Sequence, residues 1–377
     1  MNTRKKTKIL FISRAYPPIT GGIENQNFGI AQSLSEIADV TIVANPHGKK
    51  FLPVFLPYIA ARLIFTSWKY DAVLFGDGVA GTLGALVRVL PGKTKALSII
   101  HGLDITFARR TSFLATVYKH INIPALKTLD RLIMVGNQTI EEAVSIGISR
   151  EKCTFVPNGV FIEDIFEQHT RAELEQVVGT ELKDRKVILR IGRYVQHKGV
   201  EWFLRNVVPS LPDNTLFVAA GAVVGAKTAG DASYYPRCQK AVAELGLENK
   251  VRLLTNLPWS DMKVLFNTVD LAVSPNIPVP GTMEGFGINV IEAASCERVV
   301  VASDLEGLKD AIIEGKNGFL VAPGDAQAYI DKITELLGKD DYRKSFGEQA
   351  RIFSTQHFQW STIAEQYLKV IKDTCSE

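Results

Sequence analysis

Residues 186–199 read KVILRIGRYVQHKG, and they restart a pattern that the chain has already used once. The run over 187–191 is short and apolar, as in a strand buried on both faces of a parallel sheet. Residues 192–199 form a glycine-flanked loop carrying Arg193 and Lys198, and helical spacing resumes over 200–207. The same order opens the chain. A strand is predicted over Lys8–Ser13, then a loop with Gly21-Gly22, a helix over 23–37 and a second strand over 39–45. Further strands are predicted over 72–75, 96–100, 131–135 and 153–157 in the first half, and over 216–220, 251–254, 271–274 and 299–302 in the second. Strands alternating with helices twice over predict an α/β chain of two Rossmann-like, doubly wound domains facing one another across a cleft.

The carboxyl ends of the strands carry the chemistry. In α/β sheets ligands bind beyond those ends. Arg193 suits bidentate contact with phosphate oxygens and Lys198 adds a point charge, so the pair can neutralise a diphosphate; two surface cations are the plainer reading. Gly21-Gly22 follows the first strand and, taken alone, reads as a tight strand-to-helix turn. Gly76-Asp77-Gly78-Val79-Ala80-Gly81 matches GxGxxG, yet the supporting acid about 20 residues further on is missing, and the next strand ends instead in His101-Gly102-Leu103-Asp104. His101 at such a strand end either contacts substrate or serves as a hydrogen-bonded structural imidazole.

A second stretch, residues 282–297, reads TMEGFGINVIEAASCE. Glu284 and Glu292 bracket Gly285-Phe286-Gly287 and a helix predicted from Ile288. The glycines let backbone N–H groups approach a ligand, and the helix start favours a phosphate. Two carboxylates beside such a cradle suit a ligand with both phosphate and hydroxyls; a capped helix with solvated acids is the alternative.

With 377 residues the chain is long for one core. A net charge of +3 gives no concentrated basic face, so no nucleic acid is expected as a partner. Cys153, Cys238, Cys296 and Cys375 are widely spaced, which predicts reduced thiols and a cytoplasmic protein. Two segments of the first half stand out. Residues 51–70 (FLPVFLPYIAARLIFTSWKY) are apolar and aromatic: a buried helix, the commoner case, or a face that touches lipid. Residues 109–128 are basic and amphipathic, suiting a surface helix with a core face or an anionic bilayer.

Taken together, these residues resemble the retaining glycosyltransferases of family 4, with the GT-B fold. The resemblance covers nearly the whole chain. It rests on Gly21-Gly22, His101-Gly102, Pro157-Asn158-Gly159, Gly192-Arg193 with Lys198-Gly199, the EX7E motif from Glu284 to Glu292, and a terminal Phe358/Trp360/Tyr367 pattern. The family often carries an acid two residues after the Pro-Asn-Gly turn, where this chain has Phe161. The loop over 276–281 is Pro-rich and has no assigned role.

The resemblance implies that residues 1–165 bind the acceptor, that residues 185–357 bind a nucleotide-sugar donor, and that the helix over 358–377 packs back on the first domain. It implies Arg193, Lys198, Glu284 and His101 as catalytic residues. Gly22, Arg193, Lys198, Glu284, Gly285, Phe286, Gly287, Ile288 and Glu292 would bind the donor, with Glu292 on the nucleotide ribose. It implies a front-face reaction in which the leaving phosphate takes the acceptor proton. There is no Asp-x-Asp, so no metal and no other cofactor is expected. A UDP- or GDP-sugar donor, a glycan or lipid-linked acceptor, and an anionic surface at the inner face of the cytoplasmic membrane are the expected partners. Another GT-B enzyme, such as a phosphorylase or epimerase, an NAD-dependent dehydrogenase, or a non-catalytic nucleotide- or sugar-binding protein are the competing functions.

Overall fold

The computed structural model describes residues 6–19, 21–109, 113–223 and 234–377. The chain divides into two compact units, Met1–Val160 with Phe358–Glu377, and Phe161–His357. Each is built on six parallel strands, the α/β GT-B architecture expected from the sequence.

In the first unit the strands are β1 (Lys8–Ser13), β2 (Asp39–Ala44), β3 (Ala72–Phe75), β4 (Lys95–Ile100), β5 (Arg131–Met134) and β6 (Cys153–Phe155), in the order β2-β1-β3-β4-β5-β6. Ile9, Leu10, Phe11 and Ile12 are all fully buried, so both faces of β1 are covered, as an apolar run without alternation requires. The strand order reverses between β1 and β3, and the loops after them diverge there. β6 is shorter than the sequence suggested: Val156 still donates to Met134, but Pro157 has no N–H to extend the ladder.

The apolar stretch over 51–70 forms a helix, Leu52–Thr66, flanked by short 3₁₀ turns. Burial was the expected outcome, and the structure gives it only to one stripe. Phe55, Ile59 and Leu63, four residues apart, are buried in the core of the unit. Val54 (59%), Tyr58 (51%), Phe65 (68%) and Trp68 (58%) stay exposed on another side. The sequence holds two apolar stripes, and the sheet has room for one. The basic amphipathic segment forms the helix Phe113–Thr128, whose Ile123 and Leu126 are buried while Phe113 and Ile121 are exposed. Arg110, within the basic segment, lies outside the described residues.

The C-terminal helix Trp360–Ser376 packs against the helix Gly22–Ile37 and buries Ile363, Ala364, Tyr367 and Ile371. Trp360 sits in a slot made by two glycines. A Cβ on Gly29 would lie 2.2 Å from its ring and one on Gly159 2.5 Å from it. Beside the slot, Val160 N–H donates to the Phe358 carbonyl at 2.8 Å. The Pro-Asn-Gly turn is therefore shaped to receive an indole.

The second unit contains β7 (Lys186–Ile191), β8 (Thr215–Gly221), β9 (Val251–Thr255), β10 (Leu271–Ser274), β11 (Val300–Ser303) and β12 (Phe319–Val321), ordered β12-β11-β10-β7-β8-β9. Here the order reverses between β7 and β10. The loops leaving those two strands touch: a Cβ on Gly199 would lie 1.8 Å from the Pro275 carbonyl oxygen. Gly199 also has φ +70°, so only glycine serves both demands.

Gly29→Ala should destabilise the protein by about 1–3 kcal/mol, the usual cost of overpacking, because the indole of Trp360 has nowhere to move. Chemical denaturation of the purified variant checks this, and an unchanged midpoint would show that the slot is not tight.

Candidate functional site

The switch point of the second sheet gathers most of the residues singled out in the sequence. β7 ends at Ile191, and Gly192, Arg193 and the turn Gln196–Lys198 follow. Lys198 is buried, and its ammonium forms an ion pair with the Glu284 carboxylate. The Asn276 side-chain amide donates to the same oxygen, Oε2, at 2.9 Å, and Ser274 donates to Asn276 at 3.1 Å. The Glu284 backbone N–H donates to Glu306 at 2.5 Å. Burial works against the charge of Glu284, but Lys198, next to it, holds its pKa down to about 2. Burial and the neighbouring Arg190 push the Lys198 pKa down while Glu284 pulls it back up, so the two groups persist as an ion pair.

Gly287 has φ +76°, and a Cβ there would lie 2.6 Å from Leu308. It opens the helix Ile288–Ser295, whose Val290, Ile291, Ala293 and Ala294 are buried. Phe286 is buried, while Gly285 and Ile288 are half-buried. Glu292 lies on that helix. Among the described residues no group donates a hydrogen bond to its carboxylate. Burial alone pushes its pKa up to about 7. Arg193 is exposed, and among the described residues no carboxylate pairs with it. The two cations are therefore unlike: Lys198 is neutralised by Glu284, and Arg193 is uncompensated among the described residues.

The first unit has its own cluster at the ends of β1, β3 and β4. The His101 ring Nε2–H donates to the Gly76 carbonyl at 2.9 Å, and its backbone N–H donates to Asp104 at 3.0 Å. Arg14 pairs with Asp77 at 2.7 Å. Burial, with the nearby Asp77 charge, raises the Asp104 pKa. Gly22 is the first residue of its helix, and a Cβ there would meet nothing within 4 Å, which leaves open space at that helix end.

The GxGxxG match has a packing explanation. Asp77 caps the short helix Gly78–Gly81 by accepting from Val79 and Ala80 N–H. Side chains at Gly76, Gly78 and Gly81 would collide with Asn27, Asp104 and Ser98. Among the described residues no three His, Cys, Asp or Glu side chains gather as a metal cage needs.

Sequence reasoning missed Asn276, Glu306, Arg14, Asp77 and Arg190. Asn276 and Asp77 each follow a buried strand by two residues, and that placement is the signal that could have found them.

The family described as Glycosyl transferases group 1 matches residues 173–353, and Glycosyltransferase Family 4 matches residues 14–164. The chain belongs to the family 4 glycosyltransferases. The D-inositol 3-phosphate glycosyltransferase of Corynebacterium aurimucosum is 31% identical over 195 residues, 51% of this chain and 44% of that protein. The matched segment spans about half the length of the curated relatives of that kind. An uncharacterized glycosyltransferase of Methanocaldococcus jannaschii is 24% identical over 97% of this chain and 98% of its own length. The crystal structure of Anabaena HepE in complex with UDP superposes with a TM-score of 0.77 at 20% identity, covering 97% of this chain and 100% of that one. That likeness shows a shared fold.

Glu292 gives a pH signature. Its pKa is about 7 in the folded protein against an ordinary 4.5, so the native state holds the proton more tightly than the unfolded chain. Stability then falls as pH rises from 4.5 through 7, and the loss is complete above 7. Glu292→Gln should melt higher than wild type at pH 8 and equal to it near pH 4.5. Melting curves across that range check it, and parallel curves would show a solvated carboxylate.

Proposed function

We propose that this chain transfers a hexose-type sugar from a nucleoside diphosphate sugar, UDP- or GDP-linked, to a hydroxyl of a glycan or lipid-linked glycan of the cell envelope, with retention of anomeric configuration. The observation that carries the reading is the cluster at the β7/β10 switch point: an uncompensated Arg193, a buried Lys198–Glu284 pair and the start of the helix Ile288–Ser295. A neighbour of this fold, Anabaena HepE, has been crystallised with UDP-glucose, which supports a donor of that class.

In this reaction the anomeric C–O bond breaks and its electron pair goes to the departing diphosphate. The acceptor oxygen bonds to the same face of the sugar, and its proton passes to the leaving phosphate, so no general base is needed. Arg193, Lys198 and the amides after Gly287 stabilise the growing negative charge as fixed dipoles and charges. Glu284, held ionised by Lys198, contacts the transferred sugar. Glu292 accepts from the ribose, a task its lack of an internal partner suits. Gly22 and His101 take the roles that the family resemblance implies, at the phosphates and at the reacting sugar. The reaction is metal-independent in this reading, with the fixed cations doing the work of a divalent ion.

Arg193→Ala should keep the fold, since the side chain is exposed and no described residue pairs with it, and should lower turnover by roughly 10²–10³. Circular dichroism and steady-state rates with UDP- and GDP-sugars, with and without EDTA, check this. A near-normal rate would remove Arg193 from the diphosphate site, and an EDTA-sensitive rate would overturn the metal-free mechanism.

We also propose that the first unit works against an anionic lipid surface at the cytoplasmic face of the membrane. The support is the exposed stripe of the helix Leu52–Thr66 and the turn after it: Val54, Tyr58, Phe65 and Trp68. The helix lies beside the helix Gly84–Val89, whose Val89 is also exposed. Residues 49–69 include Lys49, Lys50, Arg62 and Lys69 and no acid. Each such cation adds about 1 kcal/mol near an anionic surface. A symmetric pairing of two copies through this stripe would bring like charges together, which favours lipid as the occupant. Because Phe55, Ile59 and Leu63 hold the helix to the core, it lies along the interface and does not span it.

Vesicles of phosphatidylcholine with increasing phosphatidylglycerol should sediment the wild type. Added salt should weaken binding, and Phe65→Ser/Trp68→Ser should reduce it at least tenfold. Wild type left in the supernatant on strongly anionic vesicles at low salt would end the membrane reading.

A further inference from the structure

β7 runs through the middle of the second sheet, and its sequence is interrupted by Arg190. The side chain is 1% exposed, which makes it the largest fully buried side chain in the described protein. Burying a guanidinium is costly without a carboxylate partner. Among the described residues, Arg190 has none within ion-pair distance. Its donors go instead to the chain that follows: Nη1 to the Gly192 carbonyl at 2.5 Å and Nη2 to the Arg193 carbonyl at 3.1 Å. An arginine does not lose its proton inside a protein, so the charge stays.

The two hydrogen bonds fix the direction of a peptide. In a trans peptide the carbonyl and the following N–H point opposite ways. With the Gly192 oxygen held on the guanidinium, the N–H of Arg193 is turned away from it. Among the described residues, that N–H has no acceptor, whereas those of Gly192 and Tyr194 on either side donate to Ala220 and Ala222, both at 3.0 Å. Two glycines make the arrangement possible. Gly192 has φ +139°, which other residues rarely adopt. Behind it, a Cβ on Gly221 would lie 1.9 Å from the Gly192 oxygen, so any side chain there would push the peptide out of place. Tyr194, fully buried, anchors the far side through its hydroxyl to the Ala219 carbonyl at 2.6 Å.

We infer that Arg190 is a positioning residue for the donor's diphosphate: it presents the free Arg193 backbone N–H to a phosphate oxygen and adds a third, buried positive charge beneath the loop. This rests on the nucleotide-sugar reading given above. Arg193 then contributes twice, through its side chain and through an amide whose aim is set from beneath. A fixed charge and a pre-aimed N–H need no rearrangement as negative charge develops on the leaving group.

The test is calorimetry with inorganic pyrophosphate, UDP and GDP, and with uridine and guanosine as uncharged controls. It compares wild type with Arg190→Met, Arg190→Lys and Gly221→Ala. Pyrophosphate and the bound nucleotide should lose at least tenfold in affinity with Arg190→Met and with Gly221→Ala, and less with Arg190→Lys, which keeps the charge. Affinity for the matching nucleoside should stay within about twofold, which a general loosening of the fold would not allow. Melting curves accompany each variant; if Arg190→Met does not fold, Gly221→Ala and Arg190→Lys decide the matter. Wild-type pyrophosphate affinity in those variants, or an equal loss of nucleoside and nucleotide, overturns the inference while leaving the donor reading intact if Arg193→Ala still weakens UDP or GDP. A wild type that binds neither pyrophosphate nor either nucleotide overturns both.

Discussion

A lysine ammonium and a glutamate carboxylate taken out of water must stay together, because either one left alone in the interior costs about 3–5 kcal/mol. Lys198 and Glu284 are such a pair, and the second unit is arranged around keeping them in contact. The loop after β7 brings the lysine and the loop after β10 brings Asn276 to the same carboxylate oxygen. The loop after β11 supplies Glu306, which accepts from the Glu284 backbone. Loops can crowd this closely only where side chains are absent. Gly199 lies against Pro275, and a Cβ on Gly307 would stand 2.3 Å from the Gly285 carbonyl. The glycines and the ion pair are two sides of one constraint.

The EX7E segment shows how far environment separates two chemically identical groups. Glu284 and Glu292 sit eight residues apart, and one is held near pKa 2 while the other is pushed to about 7. Both are half-buried; the difference is Lys198. One carboxylate is locked as an anion, and the other can gain or lose a proton at neutral pH, the pattern by which a single fold assigns different tasks to like residues.

The strands and the loops at their carboxyl ends were legible in the sequence, because short apolar runs bounded by glycine have few other solutions. That placed Arg193 and Lys198 beyond the carboxyl end of a strand, Glu284 in a glycine-flanked loop and Glu292 on the helix after it. The pairing of Lys198 with Glu284 was not legible, since the two are 86 residues apart and nothing local distinguishes a paired lysine from a free one. Arg190 was hidden for a related reason: within a strand its partners are carbonyls two and three residues on, and backbone acceptors leave no mark in sequence. The stretch over 51–70 failed differently. Its composition is apolar on more than one side, so periodicity could not say which stripe the sheet would take. The GxGxxG match is the reverse instance, a recognisable signature whose glycines are spent on neighbouring side chains.

The slot that holds Trp360 ties the order of synthesis to the order of folding. Gly29 and Gly159 both emerge from the ribosome long before the indole they enclose, and residues 161–357 are made in between. The second unit is contiguous and can fold as it appears, while the helix Gly22–Ile37 must wait for its covering helix Trp360–Ser376. During that interval the earlier-made unit carries an uncovered apolar groove. The helix Trp360–Ser376 therefore completes the unit that the helix Gly22–Ile37 began.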